Sequence, residues 1–142
     1  MDNLTKEILA EKENVENVLN NLKEAMARTE KTVIELSAIA TFLHNIYNGI
    51  ENILKQILKG KNIKISRSET WHKDLLNTSV SLGIISENLS DKLYEYLSFR
   101  HFFIHAYGFM LEEAQLEDLS KNIPEIWSQF LREIENFYQT KK

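Results

Sequence analysis

The chain has 142 residues, 43% of them apolar and 27% charged, with a formal net charge of −4. These values are typical of one soluble domain with an ordinary core, so we expect a single domain over residues 1–142. The sequence has no cysteine, which excludes disulfides, thiol catalysis and cysteine zinc sites. No apolar run approaches the roughly 18–20 residues of a membrane span, and the first seven residues lack signal-peptide features. We therefore expect a cytoplasmic protein that makes no membrane contact.

Residues that break helices are rare, with four glycines and one proline. Strand signals are also scarce, so the sequence predicts an all-α, up-and-down bundle of four to five helices. The first helix is expected from about Leu4 to Thr29. Its apolar positions follow a near-heptad stripe that Glu11 interrupts, so it packs on the bundle or forms an intermolecular seam. The stripe consists of Leu4, Ile8, Val15, Val18, Leu22 and Ala25.

The second helix has the strongest apolar pattern. Thr32 is its predicted N-cap, Glu35 completes a capping box, and Gly60 ends the helix. Gly49 lies inside the helix, where it weakens helical propensity and indicates a close approach of another helix. Glu51 and Lys55 are four residues apart, in the favourable order for a salt bridge along the helix.

A local concentration of positive charge covers the end of this helix and the loop at residues 60–70. Between Lys55 and Lys73 there are six cations and one anion, Glu69, which leaves −9 for the rest of the chain. A positive patch on an otherwise acidic protein is typical of a surface that binds one charged partner. A solvated lysine-rich loop is an equal alternative. The candidate RNA-binding residues are Lys55, Lys59, Lys61, Lys64, Arg67 and Lys73.

Three further helical stretches are predicted. A short helix follows Thr70 and ends near Gly83. The fourth helix, capped by Ser86 or Ser90, runs to about Tyr107. The last covers about residues 112–138, with Pro124 beginning its main part after a break near Asn122.

The fourth helix carries the residues with the clearest chemical potential. Arg100 can hold two phosphate oxygens at once, and His105 can move a proton near pH 7. Arg100 and Tyr107 lie almost on one line of the helix, and His101 and His105 form a neighbouring line. Ordinary surface contacts are the alternative, since a histidine near a helix C-terminus also suits the helix dipole.

Arg100, His101, His105 and Tyr107 form one polar sector of the predicted helix, and large apolar residues share this sector. Phe99, Phe102 and Phe103 fall on the opposite side. A mixed sector is typical of a covered surface, and a two-fold partner would cover it most simply. Metal-free RNA cleavage needs a base for the 2′-OH and an acid for the leaving 5′ oxygen. A symmetric dimer would supply two copies of His105 and two of Arg100. The apolar members of the sector are Leu93, Leu97 and Ile104.

The pattern Arg100-x-x-x-x-His105-x-Tyr107 resembles the signature of the HEPN superfamily, and its final tyrosine is similar to HepT-type toxins. Residues 71–76 and 47–55 also resemble stretches of that family. The resemblance implies a ribonuclease toxin that is paired with a minimal nucleotidyltransferase antitoxin. It also implies that the antitoxin transfers AMP to Tyr107 and thereby silences the ribonuclease. It also implies that Glu51 orients Arg100. His101 departs from the small polar residue common after the arginine, and we assign it a supporting role.

Other interpretations remain open. The single histidines His44 and His72 have no partner at ligand spacing, and His101 with His105 gives too few ligands, so we expect no metal or other cofactor. Trp71 is expected in the core. The competing function is a non-catalytic helical adaptor that binds the nucleotidyltransferase and presents a substrate to it.

Overall fold

The computed structural model describes residues 3–65, 67–105 and 111–140, and the side chains within them except at positions 3, 4, 105 and 140. The described residues contain helices and no strand, which confirms the all-α prediction. No helix in these ranges is both long and apolar enough to cross a membrane. The helices are α1 (Asn3–Met26), α2 (Val33–Gly60), α3 (Trp71–Ser81), α4 (Glu87–His105) and α5 (Glu113–Thr140).

Helix α2 is the centre of the fold because it packs against each of the other four helices. Thr32 and Glu35 form the predicted capping box: the Thr32 backbone N–H donates to the Glu35 carboxylate at 2.9 Å. This cap satisfies backbone donors that the first turn of a helix leaves unpaired. The buried face of α2 runs almost its full length and includes one charged residue, Glu51.

Helices α1 and α2 approach closely at Gly49, as the sequence predicts. A Cβ atom added at Gly49 would lie 2.3 Å from Cγ2 of Val15. Glu11, which interrupts the apolar stripe of α1, accepts a hydrogen bond from Asn52 Nδ2 at 3.4 Å. The stripe of α1 therefore packs within the subunit, and its buried members are Val15 and Leu22.

Polar contacts fix α4 against α5. Ser86 is the N-cap of α4, since its hydroxyl accepts from the Leu89 backbone N–H at 3.0 Å, and it also donates to Glu133 of α5 at 2.8 Å. Further along α4, the buried Tyr96 hydroxyl donates to the Leu119 carbonyl at 2.7 Å. These bonds fix the direction of the helix that carries Arg100.

The predicted break near Asn122 is wrong, because α5 continues through Pro124. Proline removes one backbone donor and normally disturbs a helix. Here Ile123 and Trp127 are buried on either side of Pro124, so core packing holds the helix together across it. Pro124 itself is exposed.

The predicted apolar sector on α4 is also partly wrong. Leu93 is fully buried and Leu97 is 9% exposed, so both belong to the core of the subunit. Of the three apolar residues assigned to that sector, only Ile104 is exposed, at 45%. Leu93 and Leu97 therefore provide no reason for a covering partner. Phe99 is buried on the predicted aromatic side.

Replacing Gly49 by alanine tests the close approach of α1 and α2. We expect Gly49→Ala to lower the free energy of unfolding by about 1–3 kcal/mol, because the new methyl group overlaps Val15. In a Val15→Ala background the same change should be neutral or stabilising, since alanine has the higher helix propensity. Urea unfolding of the four proteins measures the coupling, and equal costs in both backgrounds would contradict this packing.

Candidate active site

Arg100 lies in the last part of α4 and is held by α2. Its Nε donates to Oδ1 of Asn48 at 3.1 Å, and the arginine is partly buried. Arginine carries its charge at all relevant pH values and presents a planar fork of donors. A side-chain amide that engages one edge of the fork fixes its orientation and leaves other donors for a ligand.

A buried carboxylate that is hydrogen-bonded to a histidine lies beside this arginine. Nδ1 of His72, in the first turn of α3, is 2.7 Å from Oε2 of Glu51, whose side chain is 3% exposed. Burial of a carboxylate is costly unless it is paired and hydrogen-bonded. His72 supplies that pairing, and its Nε2 lies 3.4 Å from Nη1 of Arg100.

The hydrogen-bond directions follow from the chemistry of the guanidinium. Because arginine can only donate, His72 Nε2 accepts from Arg100. The proton of the neutral imidazole is then on Nδ1, which donates to Glu51. Glu51 is thus connected to Arg100 through His72, and the orienting role that the family resemblance implies stays a prediction.

A tilted ring contact with Trp71 also restrains His72. The rings of Trp71 and His72 have centroids 3.6 Å apart and an interplanar angle of 30°. Lys55 Nζ lies 4.2 Å from the centroid of the Trp71 ring. The expected pair between Glu51 and Lys55 is therefore wrong, because each side chain has another partner. Trp71 is only partly buried, so it lies at the edge of the site and not in the core.

His44 extends the network on the side of Asn48. Since Asn48 Oδ1 accepts from Arg100, its Nδ2 donates to His44 Nε2 at 2.9 Å. Burial, with a smaller contribution from the positive charge of Arg100, lowers the pKa of His44. His44 is consequently a neutral acceptor at neutral pH.

The buried phenol of Tyr47 borders the same carboxylate. Burial, and next the negative charge of Glu51, raise the pKa of Tyr47. The phenol therefore stays protonated beside the Glu51 carboxyl group.

A cleft of about 300 Å³ opens beside Arg100 and His72. Of the six cations in the basic segment, one lines this cleft, Lys73, and its Nζ is 5.6 Å from the centroid of the Tyr94 ring. His101 is exposed and also lines the cleft. The site thus combines a guanidinium, an ammonium, two imidazoles and the carboxylate of Glu69 around a space open to solvent.

Two of the residues assigned from the sequence are not fully described by the structure. His105 is the last residue of α4, but its side chain is outside the described part of the chain, and Tyr107 lies outside the described residues altogether. Sequence reasoning missed Asn48, His72 and His44 as members of the site. Within the described ranges, no group of three His, Asp or Glu side chains could hold a metal ion.

The lowered pKa of His44 gives a stability prediction. The unfolded chain binds this proton more readily, so stability should fall as pH decreases through about 6.5, the ordinary imidazole value. His44→Gln keeps an acceptor for Asn48 but cannot be protonated, and its thermal midpoint should fall less between pH 7.5 and pH 5. An unchanged pH dependence in the variant would contradict the assignment.

Comparison with known proteins agrees with this architecture. A search of curated proteins gives no match. The structure of a protein described as a cytosolic protein of unknown function, YutE from Bacillus subtilis, is similar with a TM-score of 0.63 and 16% identity over 91% of each chain, which shows a shared fold. The model of a family described as HepT-like protein matches residues 38–141, well over half of the sequence. The chain therefore belongs to the HepT-like protein family.

Proposed function

We propose that this protein is the toxin of a toxin–antitoxin pair and acts as a metal-independent RNA endoribonuclease. One observation carries the proposal: Arg100 is fixed by Asn48 and His72 at the edge of an open cleft, on the helix that ends at His105. Family membership supports it, because HepT-like proteins belong to a HEPN-type toxin family. The interaction of a guanidinium with developing phosphate charge is a strong source of transition-state stabilisation.

The proposed reaction needs no metal. The 2′ oxygen of the RNA loses its proton to a base and attacks the adjacent phosphorus, and the bond to the 5′ oxygen breaks as an acid protonates that oxygen. The products are a 2′,3′-cyclic phosphate and a 5′ hydroxyl. Arg100 stabilises the pentacoordinate phosphate, and His105 takes part in proton transfer.

RNA would enter along the basic side of the cleft. Lys73 lines the cleft and Lys55 lies over Trp71, next to His72, so both are suited to contact the phosphate backbone. The other candidates, Lys59, Lys61, Lys64 and Arg67, are outside the cleft lining and would contact more distant phosphates. We also propose a homodimer that brings two copies of Arg100 and His105 to one groove.

Regulation by AMP transfer is the second part of the proposal. Tyr107 follows His105 by two residues, and a nucleotidyltransferase antitoxin would attach AMP to its phenol. The added phosphate is an anion that can pair with Arg100 and occupy the place of the RNA phosphate. Modification would then block the site without unfolding the subunit.

Substitution of the two site residues tests the nuclease proposal. We expect His105→Ala and Arg100→Ala to reduce RNA cleavage at least about 100-fold, with helical content retained, because each removes one contribution to the transition state. Arg100→Lys keeps the charge but loses the planar fork, so it should also be impaired. Cleavage is measured with excess EDTA present.

Full activity in the folded His105→Ala and Arg100→Ala variants would contradict the assignment. Failure of the wild-type protein to cut RNA or arrest growth would favour the adaptor instead.

Intact mass measurement tests the modification of Tyr107. Incubation with ATP and the partner nucleotidyltransferase should add one or more AMP units to the wild-type protein and reduce RNA cleavage. Tyr107→Phe should show no added mass but retain the nuclease activity, because the phenol is the acceptor and takes no part in cleavage. Tyr138→Phe is a matched control that should be modified like wild type. An AMP-sized shift that persists in Tyr107→Phe would reject Tyr107 as the acceptor.

A further inference from the structure

We propose that His72 is a second catalytic imidazole of this site and acts as the base that removes the 2′-OH proton. This inference rests on the proposed ribonuclease function and extends it. It assigns the reaction two different imidazoles, His72 and His105, instead of two copies of His105. The groove of the proposed homodimer would then hold His72 as the base and His105 as the acid.

The buried carboxylate of Glu51 is the first reason. Glu51 lies on the core face of α2, and its 2.7 Å hydrogen bond with His72 Nδ1 compensates its burial. A buried carboxylate bonded to the Nδ1 side of an imidazole fixes the tautomer and stabilises the imidazolium once Nε2 takes a proton. That is the arrangement required of a general base.

The direction of Nε2 is the second reason. This nitrogen accepts from Arg100, and His72 lines the cleft, so its lone pair is directed at the guanidinium that would bind the phosphate. The contact with the Trp71 ring restrains the imidazole in this orientation. In the proposed complex, Nη1 of Arg100 donates to an RNA phosphate while Nε stays on Asn48, and Nε2 of His72 is then free to accept a proton from the neighbouring 2′-OH.

Two imidazoles account for both proton transfers of the reaction. The 2′-OH proton moves to Nε2 of neutral His72 while the 2′ oxygen bonds to phosphorus. The phosphorus–O5′ bond breaks, and protonated His105 gives its proton to the 5′ oxygen. Exchange with water then returns a proton to His105 and removes one from His72. No metal ion, oxidant or further reactant enters the reaction.

Charged and polar groups surround His72. A carboxylate is bonded to the ring, cations lie beside it, and further titratable groups line the cleft. These groups are Glu51 and Lys55 on α2, Arg100, His101 and Tyr94 on α4, Glu69 three residues before His72, and Lys73 directly after it.

Replacement and chemical rescue of His72 test the assignment. His72→Gln and His72→Ala should each lower kcat at least about 100-fold on an RNA substrate, with unfolding midpoints recorded to confirm that the proteins are folded. Free imidazole added to His72→Ala should restore activity at least tenfold, and the rescue should increase with the fraction of neutral imidazole. A residue that only supports Arg100 would not show this pH-dependent rescue.

A substrate with an activated leaving group separates the two imidazoles. A uridine 3′-(p-nitrophenyl phosphate) needs a base but no acid, because nitrophenolate leaves without protonation. His105→Ala should recover most of the wild-type rate on it, whereas His72→Gln should stay at least about 100-fold slower.

The outcomes distinguish the two proposals. Wild-type protein that cuts no RNA would overturn the ribonuclease function, and the role of His72 with it. Wild-type activity that persists in His72→Gln, or an inactive His72→Ala that imidazole does not rescue, would overturn the role of His72 alone.

Discussion

The buried carboxylate of Glu51 is the constraint on which the site depends. It lies on the core face of α2, where an unpaired charge would be strongly destabilising, and His72 provides its partner. That requirement places the start of α3 against α2 and puts Nε2 of His72 next to Arg100. One buried charge thus links three helices to the position of a single guanidinium.

The packing of the remaining helices makes this arrangement rigid. Gly49 lets α1 approach α2 at a position between Asn48 and Glu51, so the helix that carries these two residues is covered on that side. Tyr96 and Ser86 connect α4 to α5, which fixes the helix that carries Arg100. A site built on helices in this way holds its side chains before any ligand binds, which is the preorganisation that electrostatic catalysis requires.

Local patterns predicted the fold well because their causes are local. The capping box at Thr32 and Glu35, and the role of Gly49, follow from spacing and residue type. The site network was missed because it joins residues far apart in the chain: Asn48 and Arg100 are 52 residues apart, and Glu51 and His72 are 21 apart. The motif around Arg100 marked α4 as the helix that carries the candidate site, but no spacing rule connects it to α2 or α3. The break predicted before Pro124 was wrong for a different reason: the local preference of proline indicated a break, but tertiary packing keeps the helix continuous.

The most direct measurement is a crystal structure of the protein with a short RNA that cannot be cleaved because its 2′-OH groups are methylated. The proposed site predicts a phosphate in the cleft, bonded to the Arg100 guanidinium, with the adjacent 2′ oxygen facing His72 Nε2. RNA bound elsewhere along residues 55–73, with Arg100 still donating to His72 and the cleft holding no phosphate, would contradict it.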